Sequence, residues 1–523
     1  MFCMWCQQRL GRGERQRHAA TFFAAMVMAL SNIAGCSLVL DSKETQCVVN
    51  ADCVSMDGHP VCQAGVCVES GLGPKGCVET APKSQTDFLN ACSTSKCVAF
   101  DNCGRLGLCD GNIALPAAQN QMTVKRAAPV NPVAPPPAAP DGLCSTGAPG
   151  GGTNVVYLYG SADFGPLLHA AQPSLSAAAI PYRAVFQGST SCNGVAAAFD
   201  PVQRTALMKD PATETAGGWA FYFDDNGKQV NCRLGGPTSI DIGISNLFSQ
   251  TCDQTFIPGP NVVEYTGPVV PFVLSVPSTS GEHSISAEAA HLVFGLGGIA
   301  PPGSGMNNAT PWTEWSNYYI RNSGAGSTVL TALMIGVDKT KFWGVDTLST
   351  ENLRDSLLAA PANSVNSSIG ILSIDFNDKN RGNLKALYLQ DKKQLCGYQP
   401  DSSPTTFDKV NVRDGHYPLW GYVHFFTPDP NGRARNMTLL FNAQKLDQSL
   451  LDGIIDASLT PQCAMKVART SEMGDFAVRT GFQCGCYFDF KTKNGKTSCQ
   501  SCKTSEDCTS ALPACNYGYC EAQ

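Results

Sequence analysis

Short apolar runs alternate with helix-prone segments through the middle of the chain. The strand-like runs are residues 154–160, 182–188, 239–245, 269–277, 368–374 and 421–428. Helix-prone segments such as PLLHAA, after the first run, separate them. Strands separated by helices predict an α/β fold, in which ligands bind at the loops that follow the carboxyl ends of the strands.

Four of these loops carry small polar residues suited to a compact anion. They read GSAD, GSTS and SN after the first three strands, and RNSGAGST at residues 321–328. The last loop places Arg321, a permanently charged fork that suits carboxylate, phosphate or sulfate, beside a helix N-terminus with free backbone N–H groups. Each loop alone is more typical of an ordinary turn with a helix cap. Together the four loops predict an oxyanion site.

The order of the motifs resembles that of a known family. YGSADFGP, QGST at residues 187–190 and IGISN at residues 242–246 are followed by PFVLSVP, by LVFGLGG with Trp312, and by residues 321–327. In this order they resemble the type II periplasmic binding proteins, specifically the phosphate-binding proteins of ABC importers. The resemblance covers about residues 153–490. It implies two lobes, one at about 153–267 and 421–490 and the other at about 268–420.

The resemblance implies a site between the lobes for phosphate or a related small oxyanion. Its residues would be Ser161, Asp163, Phe164, Gly188, Ser189, Thr190, Ser245, Asn246, Arg321, Ala325, Gly326 and Ser327. Three depart from the family pattern, since Asp163 replaces a threonine, Asn246 an aspartate and Ala325 a serine. A carboxylate beside a dianion is costly unless it accepts a proton from the ligand. Either Asp163 has taken over the acceptor role lost at position 246, or the pocket binds another small polar solute or nothing.

Neither catalysis nor a metal or other cofactor is expected from the sequence. It contains no Gly-x-Ser-x-Gly nucleophile elbow and no His-Glu-x-x-His metal helix. Its net charge of -6 and pI near 5.7 argue against nucleic acid as the main partner. Its 25 cysteines favour an oxidising compartment.

The N-terminus has the pattern of an export signal. Four arginines precede an apolar run that ends in IAGC, and this ending resembles a bacterial lipobox. Residues 1–35 would then be a signal peptide and Cys36 would carry lipid, with Ser37 favouring the outer membrane. Removing Cys3, Cys6 and Cys36 from the 25 cysteines leaves 22, which can pair completely. The alternative is an ordinary signal peptide with Cys36 in a disulfide.

Cysteine-rich segments flank the predicted binding domain. Residues 36–112 and 491–523 contain two copies of one cysteine pattern, at positions 47, 53, 62 and 67 and at positions 502, 508, 515 and 520. These segments have few apolar residues, so we expect small modules held by disulfides. Residues 113–152 are rich in proline, alanine and glycine and predict a linker. Cys484, Cys486, Cys499 and Cys502 have zinc-ribbon spacing, but export favours disulfides over zinc.

These patterns lead to two functional hypotheses. The first is a lipid-anchored extracytoplasmic solute-binding protein that binds an oxyanion such as phosphate, with an ABC permease as the partner that the resemblance implies. The second is a cell-surface interaction protein in which the binding-protein fold is a scaffold and the cysteine-rich modules bind a polymer or another protein. A ligand response of the central domain would distinguish them.

Overall fold

The computed structural model describes residues 61–63, 66–68, 77–78, 80–109, 114–118, 139–145, 154–178, 181–211, 218–429, 432–442 and 445–522. They fall into two units, Met1–Pro74 and Lys75–Gln523. The first unit contributes one antiparallel hairpin, and all other elements below belong to the second. The predicted signal peptide and the predicted lipidation site Cys36 lie outside the described residues.

The strands of the described residues are β1 (Val61–Gln63), β2 (Val66–Val68), β3 (Cys97–Val98), β4 (Val155–Ser161), β5 (Arg183–Ser189), β6 (Ala220–Phe223), β7 (Gln229–Cys232), β8 (Ile242–Ser245), β9 (Val263–Pro277), β10 (Ser284–Ser286), β11 (Tyr318–Ile320), β12 (Val345–Asp346), β13 (Ile369–Ser373), β14 (Leu384–Ala386), β15 (Tyr388–Gln390), β16 (Gly397–Tyr398), β17 (Trp420–Thr427), β18 (Val467–Ala468), β19 (Ala477–Val478), β20 (Ala514–Asn516) and β21 (Tyr519–Glu521).

The α-helices of the same residues are α1 (Gln85–Leu89), α2 (Asn102–Leu106), α3 (Phe164–Ala177), α4 (Ser191–Phe199), α5 (Pro201–Ala206), α6 (Ser249–Cys252), α7 (Ala287–Leu296), α8 (Gly326–Ile335), α9 (Thr350–Leu358), α10 (Ile374–Lys379), α11 (Val410–Asp414), α12 (Arg433–Phe441), α13 (Gln448–Asp456) and α14 (Gly485–Thr492). Short 3-10 turns lie at Trp315–Asn317, Lys339–Lys341, Gln462–Ala464 and Ser505–Asp507. None of the described helices is long and apolar enough to cross a membrane.

One large sheet organises the second unit. Its strand order is β12-β11-β13-β9-β17-β8-β4-β5-β6-β7, and β14 also pairs with β9. The long strand β9 joins two halves of this sheet, because residues 263–271 pair with β17 and residues 272–277 pair with β13 and β14. We call the half with β4 to β8 and β17 lobe 1, and the half with β11 to β14 lobe 2. The two-lobed α/β fold predicted from the sequence is confirmed.

The core runs through both lobes at the central strands. All eight residues of β17 are buried, as are the last eleven of β9. Central strands covered on both faces are continuous apolar runs in the sequence, which explains why VVPFVLSVP and GYVHFFTP stand out.

Polar N-cap residues define the starts of the helices around these strands. Thr190, Ser286 and Ser349 each accept a hydrogen bond from a first-turn N–H of α4, α7 and α9, respectively.

Eighteen of the described cysteines form nine disulfides, as predicted. The pairs are Cys77–Cys92, Cys97–Cys396, Cys103–Cys109, Cys144–Cys232, Cys192–Cys252, Cys463–Cys484, Cys486–Cys499, Cys502–Cys515 and Cys508–Cys520. All four cysteines with zinc-ribbon spacing are among them. The sulfur atoms of Cys502, Cys508 and Cys520 lie within 4.8 Å of one another, but each is already bonded to another sulfur and is not a metal ligand.

Part of the cysteine-rich N-terminal segment packs on the α/β unit. The Cys97–Cys396 disulfide spans 299 residues, and beside it β3 pairs with β16. The Phe88 ring meets the Phe476 ring edge-on at a centroid distance of 6.0 Å. Within the predicted linker range, Cys144 is bonded to Cys232 in lobe 1. These contacts make residues 77–78, 80–109 and 139–145 part of the same compact unit as the sheet.

Candidate functional site between the two lobes

The carboxyl ends of three strands of lobe 1 meet at one edge of the sheet. β4 pairs in parallel with both β5 and β8, and its last residue, Ser161, lies opposite Ser189. Gly160 and Gly194 allow helix α4 to lie directly on these strands. A Cβ atom at Gly160 would lie 1.9 Å from the Ile244 carbonyl oxygen, and one at Gly194 would lie 2.0 Å from it. The predicted polar loops therefore share this edge, which faces lobe 2.

A hydrogen-bonded cluster joins the two lobes at this edge. The Asn246 side-chain amide donates to Ser161 Oγ and to Asp163 Oδ2, both at 2.9 Å. On the other side Ser373, at the end of β13 in lobe 2, lies 3.2 Å from Asp163 Oδ1 and 2.7 Å from Asp375 Oδ1. We call Ser161, Asp163, Asn246, Ser373 and Asp375 the junction. The Asn246 amide and the Ser373 hydroxyl are therefore already within hydrogen-bond distance of the Asp163 carboxylate.

The junction contains two carboxyl groups that compete for one hydroxyl proton. The Ser373 hydroxyl can donate to Asp163 or to Asp375, so the second contact is a hydrogen bond only if that carboxyl is protonated. Burial, followed by the negative charge of Asp163, raises the pKa of Asp375 to about 7. Burial also raises the pKa of Asp163, against the opposing charge of Arg321. With Asp375 protonated, its carboxyl group donates to Ser373 Oγ and the Ser373 hydroxyl donates to Asp163 across the boundary between the lobes.

The N-terminus of α8 presses against lobe 1 beside the junction. A Cβ atom at Gly326 would lie 2.8 Å from Ser191 Oγ and 3.0 Å from Asn246 Cβ. The Cys192 N–H donates to the Gly324 carbonyl at 3.0 Å. Ala325 and Ser327 flank Gly326 and are also buried. The helix start predicted to hold an anion is therefore a contact between the lobes.

Arg321 lies apart from this contact and lines a cleft. Only 8% of the residue is exposed, and its Nη1 donates to Thr350 Oγ1 at 2.8 Å. Its Nε has no hydrogen-bond partner, and among the described residues no carboxylate pairs with its guanidinium at ion-pair distance. A buried guanidinium with an unused N–H costs free energy unless a ligand or water accepts from it.

The cleft lies between the lobes and has a volume of about 970 Å³. From lobe 1 it is lined by the α4 start with Gly188, Ser189 and Thr190, and by aromatic residues of β5 and β6. From lobe 2 it is lined by Arg321 and Asn322, by the α9 start, and by Phe376. Ser189 Oγ accepts hydrogen bonds from Tyr159 and Asn193, which leaves its own proton to donate.

The structure divides the predicted site residues into two groups. Gly188, Ser189, Thr190 and Arg321 line the cleft, whereas the others lie at or behind the contact between the lobes. Among these, Phe164 packs in an aromatic core with Phe186, Phe425 and Phe441. Ser245 is fully buried, and its Oγ accepts from the Leu247 N–H at 2.9 Å.

Sequence reasoning missed part of the junction and most of the cleft wall. Ser373 lies near the end of a predicted strand and Asp375 directly follows that strand, so the rule that placed the other loops at the site also applied to them. The aromatic residues of β6 carry no such signal, since FYF in a strand is typical of a buried core.

Comparisons with known proteins find weak structural likenesses and no match in sequence. No protein-family model and no curated protein matches the sequence. Similar solved structures include an ABC-type phosphate transport receptor from Vibrio cholerae, with 11% identity and a TM-score of 0.37 over 58% of this chain and 99% of that one. PstS from Borrelia burgdorferi has 13% identity and a TM-score of 0.33 over 59% and 98%. A phosphate-binding protein from Stenotrophomonas maltophilia has 11% identity and a TM-score of 0.35 over 59% and 90%. At identities this low the likeness concerns the fold alone.

Proposed function

We propose that this chain is an extracytoplasmic solute-binding protein that holds an anionic solute between its two lobes. The observation that carries the proposal is the buried, incompletely paired guanidinium of Arg321 at the wall of the cleft. The anionic group would be phosphate or a related small oxyanion, free or as part of a larger molecule. Arg321 would bind it through charge-assisted hydrogen bonds, with Ser189 and Thr190 on the facing wall.

The junction would hold the two lobes together and would not contact the anion. Its Asn246 and serine donors are already bonded to Asp163, so an ion placed there would have to displace that carboxylate. We therefore assign Ser161, Asp163, Asn246 and Gly326 to holding the lobes together, and Arg321 to charge recognition. Movement of the lobes about β9 would report occupancy to a membrane partner, and an ABC permease is the first candidate.

Replacing Arg321 by alanine is expected to remove the anion response. In the wild type, phosphate or sulfate at a thousand times its dissociation constant should add about 4 kcal/mol to the free energy of unfolding, which a thermal-shift titration detects. In Arg321→Ala the affinity should fall at least about tenfold, because a charge-assisted pair is lost. Arg233→Ala is the matched control, since this exposed arginine follows β7 outside the cleft and its Nη2 donates to the Asp141 carbonyl oxygen.

Two results would contradict the proposal. An Arg321→Ala response equal to that of the wild type would mean that the cleft arginine does not bind the anion. A flat response of a cooperatively unfolding wild type to phosphate, sulfate and small organic anions would favour the alternative of a surface interaction protein.

The envelope location is proposed from the N-terminal sequence. We expect Cys36 to be lipidated and the protein to be anchored in the outer membrane. In a bacterial host supplied with radiolabelled palmitate, the wild type should incorporate label and remain with membranes. Cys36→Ser should lose the label, whereas Cys6→Ser, within the predicted signal, should not. Equal labelling of wild type and Cys36→Ser would contradict the assignment.

A further inference from the structure

The cleft is larger than an inorganic oxyanion requires. Its volume of about 970 Å³ falls at the upper end of the about 300–1,000 Å³ that is usual for organic ligands. A single phosphate beside Arg321 would leave most of this space to water. The size of the cleft therefore indicates a ligand in which an organic moiety is attached to the anionic group.

Aromatic rings form one continuous wall of the cleft. Phe221 is half-buried and meets Phe186 and Phe223 edge-on, with centroid distances of 5.6 Å in both cases. Beyond Phe223, the His169 ring lies at 4.8 Å. The opposite lobe contributes the half-buried ring of Phe376. Such rings provide flat apolar surface for a ring-shaped ligand, which an oxyanion cannot use.

The polar groups around these rings are mostly amides and hydroxyls. They are Ser189, Thr190, Asn193, Gln229, Asn231, Asn322, Ser349 and Asn352. A phosphate dianion mainly accepts hydrogen bonds and needs donors, whereas amide and hydroxyl side chains both donate and accept. This dual capacity matches ligand hydroxyl groups, which also do both. The lining therefore suits a polyhydroxylated ligand.

The charges of the cleft suit a single anionic group. Arg321 is the buried cation, and Glu351 adds one exposed carboxylate to the same wall at the start of α9. A carboxylate repels a small dianion that fills the site, but it accepts hydrogen bonds from hydroxyl groups placed away from the anionic group. A ligand with an acidic end and a hydroxylated body satisfies both residues.

We infer that the cleft binds an acidic sugar, that is, a pyranose carrying one carboxylate or phosphate group. This inference rests on the proposed function and names its ligand class. The acidic group binds to Arg321, the sugar ring lies against Phe221, and the hydroxyl groups bind to the surrounding amides and to Glu351.

Calorimetric titration of the purified full chain tests the inference. The probes are galacturonate, glucose 6-phosphate, neutral glucose and inorganic phosphate. At least one of the two acidic sugars should bind about tenfold more tightly than both glucose and phosphate, which corresponds to about 1.4 kcal/mol. Tighter binding of galacturonate would identify the carboxylate form, and tighter binding of glucose 6-phosphate the phosphorylated form.

Substitution of an aromatic ring in the cleft distinguishes the affinity due to the sugar ring from the affinity due to the anionic group. Phe221→Leu keeps an apolar side chain but removes the flat ring. It should lower the affinity for the acidic sugar about threefold to tenfold and leave the affinity for phosphate unchanged. Phe256→Leu is the matched control, because Phe256 is a half-buried ring of lobe 1 that stacks on Phe199 outside the cleft. Intact cooperative unfolding of each variant would show that it is folded.

The results that overturn the inference differ from those that overturn the proposed function. Phosphate that binds as tightly as both acidic sugars, through Arg321, would overturn the inference and keep the solute-binding function. An equal effect of Phe221→Leu on sugar and phosphate would also overturn it. Failure of every anion to bind the folded wild type would overturn both.

Discussion

Replacement of Lys409 by methionine is expected to lower the free energy of unfolding by about 3–5 kcal/mol. The side chain is 1% exposed, and its Nζ lies 2.9 Å from Asp378 Oδ2 and 3.0 Å from Asp401 Oδ1. Arg381 binds the same two carboxylates at 2.6 and 2.5 Å. Burial opposes the charge of Lys409, but Asp401 and Asp378 outweigh it and raise its pKa. Without the lysine, two buried carboxylates share one arginine.

The effect should reach the functional site. Asp378 belongs to helix α10, which also carries Asp375 of the junction and Phe376 of the cleft. Loss of its partner would loosen that helix, so ligand affinity should fall together with stability. Urea unfolding measures the loss of stability, and ligand titration of the folded variant measures the loss of affinity.

A surface lysine provides the control for this experiment. Lys466 lies 2.9 Å from Asp414 with 65% of its side chain exposed, so Lys466→Met should cost about 0–1 kcal/mol. If Lys409→Met and Lys466→Met lowered the free energy of unfolding equally, the buried ion pairs of Lys409 would not be stabilising the protein as expected.

Replacing Asp375 by asparagine is expected to flatten the pH dependence of stability. The pKa of Asp375 is raised from 3.8 to about 7, so between these values the folded protein binds a proton that the unfolded chain has released. Stability therefore falls as the pH rises from about 4 to about 7, by an amount on the order of 4 kcal/mol. Asparagine carries no titrating proton, and Asp375→Asn should lose this part of the slope.

Urea unfolding at pH 5 and pH 8 measures the difference. Asp163, Asp391 and Glu521 also have raised pKa values, so the variant keeps part of the slope. The difference between wild type and variant reports Asp375 together with its electrostatic coupling to Asp163. Asp355→Asn is the control, because its side chain is 49% exposed. Equal slopes for the wild type and Asp375→Asn would mean that Asp375 does not hold a proton in the folded protein over this pH range.

The fold could be predicted because its strands are continuous apolar runs. VVPFVLSVP and GYVHFFTP became the adjacent central strands β9 and β17, since strands covered on both faces leave a strong local signal. The loop positions could be predicted as well, because loops after parallel strands share one sheet edge, and Ser161, Ser189 and Ser245 lie there. Disulfide formation followed from the predicted export of a chain with many cysteines.

The use of each loop residue could not be read from the sequence. Asn246 and Asp163 were expected near the anion, yet the structure pairs them with each other across 83 positions of the chain. Ser373 and Asp375, which complete the junction, come from the other lobe. Hydrogen-bond partners at such separations depend on how the lobes pack, and local pattern carries no information about that packing.

The amino-acid sequence alone was enough to predict the α/β class, the strand edge that carries polar loops, and the presence of disulfides. These follow from local composition and from rules that hold for any parallel sheet. Tertiary packing places residues 80–109 on the α/β unit, through the Cys97–Cys396 disulfide and the β3–β16 pairing. It also decided that the α8 start contacts lobe 1 while Arg321 lines an aromatic cleft. Such contacts join residues far apart in the chain, so they exist only once the lobes have folded together.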